Sequence, residues 1–151
     1  MTMMRGRCAR VALALGLAGT MALGACAEDE ATAPAGDAIE VAGTWTSPFS
    51  SDGELISDSV WGTPDFMVDV VSFDNAANFA VTRNLATADY APSKFNKNVW
   101  TEPDATGFYY CTVAFGLDTA EAAAAADASV ADVNDLEGAG CGGFGWTHLT
   151  K

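Results

Sequence analysis

Basic residues are scarce in this chain beyond its first ten positions. Its 151 residues include 20 Asp and Glu but only 7 Lys and Arg, and three of those seven are Arg5, Arg7 and Arg10. From residue 26 onward, 20 acidic residues stand against four basic ones, which gives a formal net charge of −16. Because such a surface repels phosphate backbones, the composition excludes nucleic acid as a partner and favours a basic one.

Residues typical of catalysis are also few. His148 is the only histidine, no Gly-x-Ser-x-Gly nucleophile motif occurs, and carboxylates are too numerous for any one pair to indicate a hydrolase. Oxygen ligands for calcium gather at Asp127, Asp132, Asn134, Asp135 and Glu137. They do not fit an EF-hand loop, because Leu136 stands where a third oxygen ligand is needed. We therefore predict a protein that is not an enzyme and that holds no metal or other cofactor.

The N-terminus has the pattern of a secretory signal. A positively charged start precedes an uncharged stretch over residues 11–25, which is shorter than the roughly 18 apolar residues of a membrane-spanning helix. The stretch ends in Leu23-Gly24-Ala25-Cys26. It resembles the signal peptide of a bacterial lipoprotein, and this tetrapeptide resembles a lipobox.

That resemblance implies removal of residues 1–25, acylation of Cys26, and a membrane-tethered domain in the bacterial cell envelope. Several acyl chains make such attachment effectively permanent. Ala27 stands where an aspartate commonly retains lipoproteins in the inner membrane, so the outer membrane is the preferred location. The alternative is a cleaved signal whose Cys26 stays unmodified.

The remaining cysteines are predicted to form a disulfide. Cys8 leaves with the signal and Cys26 takes lipid, so Cys111 and Cys141 are left as a pair. Outside the cytoplasm such a pair usually oxidises. A two-cysteine metal site is the competing interpretation, but it lacks companion ligands.

The rest of the chain is predicted to form a tether and one β-domain. Residues 26–38 are acidic, small and poor in large apolar side chains, which predicts a flexible tether. From Ile39 to Lys151, short runs of β-branched and aromatic residues alternate with turn residues, which predicts seven strands. The predicted strands are Ile39–Ser47, Glu54–Trp61, Phe66–Phe73, Phe79–Asn84, Phe95–Thr101, Phe108–Phe115 and Phe144–Thr150.

One segment departs from the strand pattern. Asp118 with Glu121 three positions later matches a capping box, and Ala122 to Ala126 are strong helix formers. This predicts one short Ala-rich helix before the last strand. Seven mostly meandering strands with one helix predict an all-β fold, a small antiparallel barrel or sandwich.

Two further resemblances bear on the β-domain. Gly43-Thr44-Trp45 resembles the Gly-x-Trp signature of lipocalin-like barrels, in which the tryptophan plugs one end. A longer set of segments resembles small bacterial lipoproteins of unknown function, which implies the disulfide and the surface location but no activity. Those segments are Gly43-Thr44-Trp45, Ser93 to Lys97, Trp100-Thr101, Phe108 to Cys111, and Cys141 to Thr147.

We therefore expect a lipid-anchored envelope protein whose β-domain binds a protein partner or a small apolar ligand without catalysis. The alternatives are an acidic inhibitor of a basic envelope-attacking protein such as lysozyme, and a carrier of small hydrophobic ligands. A cavity lined by Phe66, Val68, Val70 and tryptophans would favour the carrier, and a filled core would count against it.

We predict that Cys26→Ala abolishes recovery of the protein with the membrane fraction, because the substitution removes the thiol that accepts the lipid. Fractionation of lysed cells and mass spectrometry of the product measure this. Unchanged fractionation of the variant would contradict the anchor, as would a wild-type protein that retains its first methionine and gains no lipid mass.

Overall fold

The computed structural model describes residues 38–151. The predicted signal, the lipidation site Cys26 and the tether as far as residue 37 lie outside the described residues.

Eight antiparallel strands close into a barrel, in which each strand pairs with the next and β8 returns to β1. This confirms the all-β prediction and selects the barrel over the sandwich. The strands are β1 Gly43–Ser47, β2 Ser50–Ile56, β3 Val60–Thr63, β4 Phe66–Asp74, β5 Phe79–Asn84, β6 Phe95–Trp100, β7 Gly107–Leu117 and β8 Thr147–Thr150. One short helix, α1 Ala120–Ala125, precedes the last strand as predicted.

The strand count is eight rather than seven because the predicted second strand is divided. Residues 57–59 form a turn between β2 and β3, in which the Ser57 hydroxyl accepts the backbone N–H groups of Ser59 and Val60. Short polar side chains commonly close such turns by bonding to nearby backbone. These serines therefore mark a reversal inside the predicted second strand, in addition to the turn at Pro64 and Asp65 that follows Gly62.

Residues 50–53 lie between the first two predicted strands, and their Ser-Ser-Asp-Gly sequence predicts a turn, but they belong to β2. The reversal occurs at Pro48 and Phe49, where the Ser47 hydroxyl accepts the Phe49 N–H at 3.2 Å. Gly53 instead sits at an irregularity in the β1–β2 pairing, with φ of 80°. A Cβ there would lie 2.7 Å from the carbonyl oxygen of Trp45, so the glycine permits a close approach of the two strands.

Several element ends differ from the prediction, and three of them have a clear local cause. The first strand starts at Gly43, because residues 39–42 form a turn closed by the Ala42 N–H to the Ile39 carbonyl. The last strand starts at Thr147, because Phe144 pairs with Cys141 in the preceding loop. Thr119, not Asp118, caps α1: it has extended backbone and accepts the Ala122 N–H through its hydroxyl.

The barrel has two distinct ends. The proximal end comprises residues 38–42 and the turns at 57–59, 75–78 and 101–106, and it is covered by the chain as it enters the domain. Ile39 and Val41 are fully buried there, and the indole N–H of Trp45 donates to the Val41 carbonyl at 3.0 Å. The other end, which we call the distal end, carries the turns at 48–49 and 64–65 and the connection at 85–94.

Aromatic side chains fill the barrel interior. The main core holds buried Trp45, Trp61, Trp100 and Phe108 together with aliphatic residues from β2, β5 and β8. Trp45 meets Phe108 edge to face, with ring centroids 4.9 Å apart. Trp45 and Trp100, each followed by a threonine, thus face the interior.

A second apolar cluster lies on the outer face of β6 and β7, beneath the long β7–β8 connection. It is built on Val99, Cys111 and Trp146, and the Cys111–Cys141 disulfide joins strand and connection across 30 residues. The indole N–H of Trp146 donates to the carbonyls of Asp132 and Gly140 in that connection. The disulfide predicted by counting cysteines is therefore present.

We predict that Cys111→Ala combined with Cys141→Ala lowers the free energy of unfolding by about 3–4 kcal/mol, because the bridge no longer restricts the unfolded chain. Urea unfolding followed by tryptophan fluorescence measures the loss. Reduction of the wild-type protein should give a loss of similar size. An unfolding midpoint that neither treatment moves would contradict this role.

Gly107 permits a close approach of β7 to β8. Gly107 has φ of 151°, and a Cβ on it would lie 1.9 Å from the Leu149 carbonyl oxygen. We expect Gly107→Ala to cost about 3 kcal/mol or more, since backbone must move to relieve the overlap. Gly142→Ala is the matched control: its Cβ would meet open space at φ of 60°, so only the backbone cost of about 1–2 kcal/mol applies. Equal losses in urea unfolding would show that the predicted overlap does not matter.

Candidate functional site

The distal end of the barrel carries a cleft of about 470 Å³ between the β3–β4 turn and the β5–β6 connection. Its apolar lining comes from three parts of the chain. The start of β4 supplies Phe66, Met67 and Val68, the β5–β6 connection supplies Leu85 and Tyr90, and β7 supplies Phe115. The cleft therefore opens at the mouth of the barrel, above the filled interior.

Three aromatic side chains of this cleft are unusually exposed. Phe66 is 82% exposed, Tyr90 75% and Phe115 52%. Tyr90 and Phe115 stack on each other, with ring centroids 5.6 Å apart and planes within 21°. Neighbouring exposed aromatic rings on a folded domain are a common mark of a binding surface.

The connection that presents Tyr90 has a strained backbone. Ala91 and Ser93 have φ of 46° and 60°, a left-handed conformation that costs a residue with a Cβ roughly 1–2 kcal/mol. The buried side chain of Asn84 compensates: its amide N–H groups donate to the carbonyls of Ala91 at 2.9 Å and Tyr90 at 3.5 Å. Strain that the surroundings hold in this way is frequent at functional sites.

A second buried asparagine couples this connection to the strand that carries Phe115. The Asn96 amide donates to the Asn84 side-chain oxygen at 2.7 Å. Its own side-chain oxygen accepts the backbone N–H of Gly116 at 3.0 Å. Asn84 and Asn96 are only 6% and 3% exposed, so the segments bearing Tyr90 and Phe115 are held together from inside the barrel.

The rim of the cleft is acidic. Asp65 and Asp89 line it and are exposed, whereas none of the residues lining it is basic. The two basic residues next to it in sequence are engaged elsewhere: Arg83 pairs with Asp69 at 2.8 Å, and Lys94 pairs with Asp118. The hydrogen bond from Lys94, reinforced by its charge, lowers the pKa of the Asp118 carboxyl.

The interior beneath the cleft holds one buried carboxylate. Glu54 is 2% exposed, and it accepts hydrogen bonds from the Ser47 hydroxyl at 3.1 Å and the Trp61 indole at 2.8 Å. Burial, and then the nearby charge of Glu54, raises the pKa of the Tyr110 hydroxyl. The ring of Tyr110 packs against that of Trp61, with centroids 5.3 Å apart, so side chains rather than a ligand occupy this level.

The residues expected to line a ligand cavity are thereby separated. Phe66 and Val68 line the distal cleft, whereas Val70 does not line it and packs, together with Val68, against the tryptophan-rich core. An eight-stranded barrel is just wide enough for its own side chains to fill it. The space available to a ligand is consequently at the mouth and not in the middle of the barrel.

The other residues considered from sequence lie away from this cleft. His148 stacks on Tyr109 on the outer face of the barrel, with ring centroids 4.0 Å apart. Asp127, Asp132 and Asp135 accept hydrogen bonds from backbone N–H groups of their own turns. Over residues 38–151, no three Asp, Glu, His or Cys side chains converge as metal ligands would.

Sequence reasoning did not identify Tyr90 or the two asparagines as site residues. Residues 85–93 lie between two predicted strands and form a connection, as those strand bounds imply. A single aromatic residue in such a connection, here Tyr90, gives no periodic signal. A usable signal was the placement of Asn84 and Asn96 inside two otherwise strand-like runs on either side of that loop. Asparagine is depleted in strands, so its presence there indicates a specific hydrogen-bonding task.

Comparison of the chain with protein-family models, with curated proteins and with solved structures gives no match to any of the three. None of the helices in the described part of the chain has the length and apolar character needed to cross a membrane. The geometry of the cleft therefore carries the functional argument.

We predict that Asn84→Ala destabilises the domain by about 2–3 kcal/mol, because it removes three hydrogen bonds of a buried side chain, those to the Tyr90 and Ala91 carbonyls and that from the Asn96 amide. Backbone amides of residues 85–94 should exchange with solvent faster, whereas amides of β1 and β2 should change little. Hydrogen exchange read by mass spectrometry measures this. Thr87→Ala, on the same connection, is the control and should leave exchange unchanged; if both variants behave alike, Asn84 does not organise the loop.

Proposed function

We propose that this is a lipid-anchored protein of the bacterial cell envelope, most consistent with the outer membrane, whose β-barrel binds a small apolar ligand without catalysis. The observation that carries the proposal is the distal cleft, where Phe66, Tyr90 and Phe115 present exposed rings around about 470 Å³. The anchor part of the proposal rests on the lipobox-like sequence that ends at Cys26.

The dimensions of the cleft suit a small molecule. Binding sites for such ligands typically enclose roughly 300–1,000 Å³ and are lined mainly by apolar and aromatic side chains. Aromatic rings give a large contact area for little loss of side-chain freedom. Because the asparagine pair already orders the backbone that carries two of the three rings, a ligand would not have to bear that part of the ordering cost.

The position of the cleft suits a tethered domain. The described chain enters at the proximal end, where the side-chain amide of Asn75 donates to the Ala38 carbonyl at 2.9 Å. The cleft lies at the opposite end of the barrel. A domain fastened through residues 26–38 would be held at Ala38, which lies at the end of the barrel opposite the cleft.

A neutral fluorescent probe tests the binding function. We expect N-phenyl-1-naphthylamine to bind the wild-type protein with enhanced fluorescence. Tyr90→Ala should weaken that binding roughly tenfold, because the probe loses about half of the contact area that one fully buried aromatic side chain would give. Fluorescence titration gives both dissociation constants.

Phe144→Ala is the matched control, because Phe144 is 77% exposed and does not line the cleft. Its binding should equal that of the wild type. Equal weakening by the two substitutions would indicate non-specific adsorption to exposed rings, and the absence of any saturable binding would refute the proposed function.

A further inference from the structure

The chemical class of the ligand can be narrowed from the charges around the cleft, given the proposed function. We infer that the distal cleft recognises an organic cation, an ammonium or quaternary ammonium group carried on an apolar body. Three properties of the cleft lead to this inference: its exposed aromatic faces, its acidic rim, and the engagement of the nearby basic residues elsewhere.

The aromatic rings supply the first property. The faces of Phe and Tyr rings carry negative partial charge and attract a cation within about 6 Å of the ring centroid. Phe66, Tyr90 and Phe115 come from three different elements around one cleft, so a compact cation could contact more than one ring. Such contacts strengthen binding by roughly two- to thirtyfold, depending on how far the cation is removed from water.

The acidic rim supplies the second property. Asp65 and Asp89 belong to the β3–β4 turn and the β5–β6 connection, on the two sides of the cleft, and neither forms an ion pair within the described residues. Two uncompensated carboxylates beside an apolar site attract a cation and repel an anion. The overall excess of acidic residues acts in the same direction.

The basic residues supply the third property. Arg83 and Lys94 are held by Asp69 and Asp118. The Lys97 ammonium donates to the carbonyls of Ala124 and Ala126 at the end of α1, on the outer face of the barrel. Among residues 38–151, no positive side chain lines the cleft to pair with a carboxylate or phosphate, which argues against fatty acids and other anionic ligands.

Three probes of nearly equal size and shape but different charge test the inference. They are choline, its uncharged carbon isostere 3,3-dimethylbutan-1-ol, and the anion 3,3-dimethylbutanoate. Chemical shifts of the backbone amides of residues 65–68, 84–91, 93–94 and 115–117 report binding at the cleft. We expect choline to bind at least fivefold more tightly than the isostere, and the anion to bind most weakly.

Salt and the rim carboxylates provide independent readouts. The preference for choline should fall when NaCl is raised from about 20 mM to about 500 mM, because salt screens exposed charges. The double variant Asp65→Asn with Asp89→Asn should weaken choline at least threefold and leave the isostere unchanged. Asp52→Asn, an exposed carboxylate outside the cleft, is the matched control and should alter neither.

The outcomes separate the inference from the proposed function. If the isostere shifts the cleft amides and binds as tightly as choline or more so, the cleft binds apolar ligands but the cationic class is wrong. The same conclusion follows if the double variant leaves choline binding unchanged. If none of the three probes shifts the cleft amides, and the neutral fluorescent probe also fails to bind, both the inference and the proposed function are wrong.

Discussion

Closure of a short-stranded, eight-stranded barrel is the constraint from which the other features of this domain follow. A barrel of this size encloses a space that its own side chains can fill, and here Trp45, Trp61, Trp100 and Phe108 fill it. The entering chain covers the proximal end with Ile39 and Val41. Since side chains occupy the interior, the apolar space that the barrel offers a ligand lies at its distal mouth.

At the distal mouth, hydrogen bonds between buried polar side chains hold the structure together, whereas apolar packing does so in the middle of the barrel. A buried asparagine whose hydrogen bonds are all made contributes to a unique arrangement, whereas one left unsatisfied costs about 1–3 kcal/mol. Asn84 and Asn96 bond to each other and to the backbones that carry Tyr90 and Phe115. The interior thus fixes the position of rings that have little apolar support of their own.

Sequence patterns predicted the all-β class, the β-domain as a barrel or sandwich, the helix and the disulfide, because these depend on local alternation and on counting cysteines. They failed where a single residue overrode the pattern. The β1–β2 turn lies at Pro48 and Phe49, where the Ser47 hydroxyl accepts a backbone N–H. Thr119 rather than Asp118 caps the helix. The cleft could not be predicted, because it joins residues 66, 90 and 115, which are brought together only by barrel closure.

The long β7–β8 connection explains why this mouth stays uncovered in the described structure. Residues 118–146 begin at the distal end and could have folded over it, yet none of them lines the cleft. The Cys111–Cys141 bridge fastens the connection to the outer face of β7, and Lys97 holds the end of α1 against the same side of the barrel. Trp146 completes the attachment by bonding to two carbonyls of the connection while packing on that face. The disulfide therefore has two consequences. It stabilises the outer face of the barrel, and it holds the longest connection away from the aromatic rings of the cleft.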